Sequence, residues 1–196
     1  MKMKINIVLP GISLTNNVAG GAKVIYQYSN YLSECGHDVC IYYDLLDGKN
    51  NFGVPSPIMR IIRKNYLKFN KQYPSWFNLG KNVKKVVCSI DNDNVREADI
   101  TIATAYTTVQ KVNNLSVQKG EKIYFIQDFE NWDGVSDEDV YNSYGLRFEK
   151  IVVSKWLKEV VDKYSDTPSF LVANGCDEKI FSLKKSIESR NKYSIA

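Results

Sequence analysis

The stretch Lys4-Ile5-Asn6-Ile7-Val8-Leu9-Pro10 reads as a short apolar strand, halted by Pro10 and Gly11. A polar loop runs to Asn17. Ala19-Gly20-Gly21 then opens a helical pattern, with Val24, Ile25, Tyr28, Tyr31, Leu32 and Cys35 at spacings of three and four. Gly36 supplies a C-terminal stop. Val39-Cys40-Ile41-Tyr42-Tyr43 follows as a β-branched and aromatic strand. Strand, glycine loop, helix and strand within 43 residues make a βαβ unit, whose two strands must run parallel.

The same alternation continues down the chain. Strands are expected at Lys85–Ile90, Asp99–Thr104, Lys122–Ile126, Lys150–Val153 and Ser169–Ala173. Helical patterns fall at Thr107–Leu115 and on the face carrying Trp156, Leu157, Val160, Val161 and Tyr164. The implied class is α/β: a Rossmann-like, three-layer domain with a mostly parallel sheet covered on both faces. Residues 1–181 form that domain, and 182–196 read as a polar, basic linker or tail. In such sheets the ligand crevice lies beyond the carboxyl ends of the strands. Four loops are therefore the candidates: Gly11–Gly21, Ala105–Thr108, Gln127–Trp132 and Ser154–Lys155.

Composition sets limits on function. Of 196 residues, 44% are hydrophobic and 24% charged, ordinary for a globular protein. No apolar run is long enough to span a bilayer, and the N-terminus has no secretory pattern, so a cytoplasmic location is expected. Cys35, Cys40, Cys88 and Cys176 show no Cys-x-x-Cys pairing and only His37 could join them, so neither a metal site nor a disulfide framework is expected. His37 itself sits at the amino end of a strand and reads as a turn residue. Between Lys49 and Ile90 there are nine basic residues and no acidic one, while the rest of the chain is net negative. A localised anionic partner fits that asymmetry better than nucleic acid does.

Three groups of residues suggest chemistry. Gly20 and Gly21 stand at a helix N-terminus, where unpaired N–H groups bind phosphate; a tight turn with no ligand is an equal reading. The spacing matches neither the dinucleotide fingerprint nor the P-loop. Gln127-Asp128-Phe129-Glu130 follows an apolar strand directly. Its carboxylates suit a general base or a hydroxyl-binding pair, against a solvated turn as the plain alternative. Asn131 and Trp132 add an amide and an aromatic face, which together suit a sugar ring. Asp133, Asp137, Glu138 and Asp139 read as a solvated face and a helix start. In the basic segment, Ile58, Ile61, Ile62, Tyr66 and Phe69 share one helical face, with Arg60, Arg63, Lys64, Lys68 and Lys71 opposite and Tyr73, Trp76 and Phe77 beyond. The favoured reading packs the apolar stripe on the sheet. Contact of the basic face with an anionic membrane is the second reading.

Five segments, in order, resemble the family-four-like GT-B glycosyltransferases. They are Gly20-Gly21-Ala22-Lys23-Val24 with Gly36-His37-Asp38-Val39, Ala98-Asp99 through Thr104, Tyr124 through Glu130, Val153-Ser154-Lys155-Trp156, and Asn174-Gly175-Cys176-Asp177 through Phe181. Tyr124–Glu130 is similar to polysaccharide-building members, rhamnosyltransferases among them. The resemblance implies the N-terminal half of a GT-B architecture, with hexosyltransferase activity in cell-surface polysaccharide or glycolipid synthesis. It puts Ala19, Gly20 and Gly21 opposite the donor diphosphate, and Asp128 and Glu130 in the catalytic position. Tyr106, Gln127, Asn131, Trp132 and Ser154 would meet a saccharide or lipid-linked acceptor. No metal or cofactor is implied. The nucleotide sugar is a substrate held mostly by a second domain, in cis or in trans, and this chain alone is expected to be inactive. A non-catalytic split-enzyme subunit, a membrane-docked adaptor at the inner face, or an unrelated nucleotide-binding module are the competing expectations.

Overall fold

The computed structural model describes residues 1–13, 18–45, 56–132, 134–176, 181–182 and 186–189. Among these described residues, seven strands form one sheet: β1 (Lys4–Leu9), β2 (Asp38–Asp44), β3 (Lys84–Cys88), β4 (Ile100–Ala103), β5 (Glu121–Ile126), β6 (Glu149–Val152) and β7 (Phe170–Leu171). Five helices accompany them: α1 (Gly20–Glu34), α2 (Ser56–Phe69), α3 (Tyr106–Asn113), α4 (Asp137–Tyr144) and α5 (Lys155–Tyr164). The strand order is β3-β2-β1-β4-β5-β6-β7, and every pair is parallel. The α/β, Rossmann-like class expected from the sequence is therefore the observed one, with a sheet that is wholly parallel.

β1 is central because it is apolar on both faces. Ile7 lies opposite Ile41 of β2 and Ile102 of β4. Its odd-numbered residues, Ile5, Ile7 and Leu9, enter one core with Ile25 and Tyr26 of α1. Val8 enters the other, with Val109 and Val112 of α3, Val140 of α4 and Leu157 and Val161 of α5. Such two-sided burial is what a parallel strand requires. The one buried polar side chain in β1, Asn6, has its bonds met: it donates to the Arg96 carbonyl (3.0 Å) and accepts from Arg96 Nε (3.0 Å). Arg96 also pairs with Asp38 at 2.9 Å, pinning the helix-free crossover from β3 to β4. That crossover makes the strand order reverse between β1 and β4.

In α1 the expected apolar face shifts: Ile25 is buried, but Tyr31 and Cys35 are exposed and Tyr26 is buried instead, whereas the readings of Gly36 and His37 hold. Gly36 has a φ of +91°, the left-handed conformation that ends a helix, and His37 N–H bonds back to the Leu32 carbonyl at 3.1 Å. His37 Nδ1 accepts from Met3 N–H at 3.1 Å, which is a turn role. The acidic stretch does begin a helix: Ser136 caps α4 by accepting from Asp139 N–H at 3.1 Å, and Asp137, Glu138 and Asp139 fill the first turn. Tyr141 of α4 stacks on Tyr164 of α5 at 3.9 Å between ring centres.

The basic segment departs from expectation. α2 forms, but Met59, Arg63, Tyr66 and Leu67 face the protein, while Ile58, Ile61, Ile62 and Phe69 are exposed. Arg63 is thus buried, and of the expected apolar stripe only Tyr66 turns inward, the other four residues lying outside. Arg60, Lys64, Lys68 and Lys71 remain on the surface. Nor are the trailing aromatics superficial. Tyr73 is buried, and Trp76 and Phe77 pack around Tyr26 with ring centres 5.6 Å away. Of the expected tail, only 182 and 186–189 are described, the latter carrying a single 3-10 turn at Ile187–Ser189. Asp133, Asp177, Glu178, Lys179 and Ile180 lie outside the described residues.

Candidate functional site

The carboxyl ends of β1, β4 and β5 meet where the strand order reverses, which is where open α/β sheets bind ligands. Thr104, just past β4, donates from Oγ1 to the Val8 carbonyl at 2.8 Å and ties these ends together. Around them is a cleft of about 660 Å³. One wall is the start of α1, Ala19 to Ala22. The facing wall is Gln127, Asp128 and Glu130, directly beyond β5. Trp132 and Trp76 supply aromatic surface at its margins, and Tyr26 and Tyr73 close its floor.

The α1 wall is electropositive without any charged residue. Ala19 offers no capping side chain, and the first helical bond is Lys23 N–H to the Ala19 carbonyl (3.0 Å). The preceding N–H groups have no helical acceptor and point along the helix toward its positive end. Gly20 is open: a Cβ there would meet nothing within 4 Å. At Gly21 a Cβ would lie 3.3 Å from Gln127 Nε2, and Gln127 Nε2 donates to the Gly21 carbonyl at 3.3 Å. Glycine here lets β5's end close on the helix start.

The two carboxylates differ. Asp128 is exposed and its Oδ1 accepts from Phe129 N–H at 2.8 Å. Glu130 is half-buried, with Oε2 accepting from Tyr106 N–H, the first amide of α3, at 2.5 Å. Burial raises the Glu130 pKa from 4.5 to about 7; the Tyr106 bond opposes this and the Asp128 charge adds to it. Phe129, between them, packs its ring on Tyr141 of α4 at 5.3 Å, which turns Glu130 inward. The result is a carboxyl group that gains or loses its proton near neutrality.

Among the expected site residues, Ala19, Gly20, Gly21, Gln127, Asp128, Glu130 and Trp132 come together in this cleft. Three do not line it. Asn131 is drawn away by an Nδ2 bond to Asp137 (3.0 Å), and Ser154 caps α5 by accepting from Leu157 N–H (3.1 Å). Tyr106 lends its backbone to Glu130, while its side chain lines a separate cleft with Asp139 and Ser143. Local helix chemistry explains all three displacements. Sequence reading missed Tyr26, Tyr73, Trp76 and Asn174 as lining residues. Asn174-Gly175 carried a signal, as the stop after the last strand; the aromatics carried none that separated cleft from core.

Comparison with protein-family models, with curated proteins and with solved structures gives no match. One reading weakens at once. Dinucleotide folds present a carboxylate to ribose at the end of the second strand. Here that residue is Asp44, whose side chain is fully buried and ion-paired with Lys111 of α3.

Proposed function

We propose that this chain is the acceptor-side domain of a nucleotide-sugar-dependent glycosyltransferase that builds a polysaccharide or glycolipid. One observation carries the reading: a half-buried carboxyl, Glu130, with its pKa near 7, faces an uncapped glycine helix start across a single cleft. Transfer needs both. An acceptor hydroxyl gives its proton to Glu130 as its oxygen bonds the sugar's anomeric carbon. The bond from that carbon to the nucleoside diphosphate breaks, and the leaving phosphate gains stabilisation from the α1 N–H groups. Asp128 and Gln127 hydrogen-bond the acceptor's hydroxyls, and Trp132 or Trp76 stacks on a sugar face. The ordered resemblance to GT-B enzymes supports the same assignment, with the nucleotide held by a second domain in cis or in trans. The absence of any Lys or Arg among the described residues lining the cleft is consistent with that division of labour.

The test is glycosyl transfer with the donor-binding domain supplied. Glu130→Gln should lower kcat about 100-fold with little change in KM. Asp128→Asn should act chiefly on acceptor KM. Unchanged rates in both variants would remove the carboxylates from the mechanism. Tight binding of a free nucleotide by this chain alone would favour a nucleotide-binding module instead.

A further inference from the structure

α2 has more apolar surface than the sheet covers. Projected along a helix of about 3.6 residues per turn, Met59, Arg63, Tyr66 and Leu67 occupy the protein-facing side. Ile58, Ile61, Ile62 and Phe69 form a second apolar ridge, exposed by 50%, 64%, 42% and 90%. Arg60, Lys64 and Lys68 run along one flank of that ridge, all exposed. No acidic residue occurs anywhere in α2 or its neighbourhood in sequence from Lys49 to Ile90. Isolated exposed leucines or isoleucines need no explanation, but four large side chains aligned on one helix do.

From this arrangement we infer that α2 docks on an anionic lipid surface, with the Ile58–Phe69 ridge at the acyl boundary and Arg60, Lys64 and Lys68 among the headgroups. Charge complementarity selects this occupant. An apolar ridge beside a purely cationic one, parallel to the same helix axis, is the layout of a helix lying in a membrane interface. A second copy would bring the two cationic flanks into mutual repulsion. The first turns of the ridge also frame an open hollow of about 440 Å³ lined by Leu45, Pro57, Arg60, Ile61 and Lys64, large enough for a lipid phosphate between two cations. Leu45 directly follows β2, so this hollow lies on the carboxyl rim of the sheet, the rim that holds the cleft. The inference does not depend on which reaction the cleft performs.

Co-sedimentation of the full chain with phosphatidylcholine vesicles, with and without phosphatidylglycerol, tests it. Binding should require the anionic lipid and weaken with added salt. Each of Arg60→Gln, Lys64→Gln and Lys68→Gln should lower partitioning about five-fold. Phe69→Ser should lower it about ten-fold, while Asn142→Ser, on the opposite side of the sheet, should leave it unchanged. Hydrogen exchange on the unaltered protein gives a readout independent of variant folding: vesicles should protect residues 56–69. Failure to bind anionic vesicles at low salt, or protection elsewhere, overturns the inference. So does a dimer in light scattering that Phe69→Ser dissociates, which would assign the ridge to a second copy.

Discussion

Glu130 shows how a single turn sets the properties of a site. Its carboxyl is carried inward by Phe129 and keeps its proton up to about pH 7. Because the folded value lies above the ordinary 4.5, the folded state binds the extra proton between those limits. Stability should therefore be greatest at acid pH with respect to this group, and fall as pH rises toward about 7. Glu130→Gln should remove that slope and gain about 1–2 kcal/mol above it, read from urea midpoints across pH. A rate profile for transfer should rise over the same interval as the base forms. Gly120 constrains the chain by geometry instead. Its φ is +88°, and a Cβ would stand 2.4 Å from the Asp99 carbonyl carbon, so Gly120→Ala should cost about 3 kcal/mol in the same assay.

At the scale of elements, the helices on the two faces are held differently. α3 is fastened to β2 by the Lys111–Asp44 ion pair, whose carboxylate is fully buried. Lys111→Met should destabilise the fold by about 3 kcal/mol, since it takes the paired cation from a buried carboxylate; a thermal melt measures it. Sequence periodicity located α1, α3 and α5 because each has one apolar arc. It misassigned α2 because that helix has two. Spacing shows which side chains share a side, and not which side meets the sheet; Met59 and Leu67 decided that, and Arg63 went in with them. The same reasoning applies to the cleft. That both carboxylates follow β5 was legible. That Glu130 would be the buried one depended on the contact between Phe129 and Tyr141, and Asn131 and Ser154 were lost to helix ends whose demands are local.

Across the whole molecule, the sheet has two unlike borders. β3 ends it with Lys84 and Lys85, the second anchored by donating to the Lys71 and Tyr73 carbonyls at 3.0 and 2.6 Å. β7 ends it with two residues, and Phe170 is 59% exposed beside Leu171 and Val172. Lysine on an outer strand deters edge-to-edge pairing, and the opposite border lacks this protection. Concentrated solutions should therefore lose protein to strand-mediated aggregation that starts at 170–172. Phe170→Lys should raise the saturating concentration several-fold with the melting temperature unchanged. A neighbouring polypeptide that completed the ladder at this border would cover Phe170 and Leu171 and meet their open backbone groups.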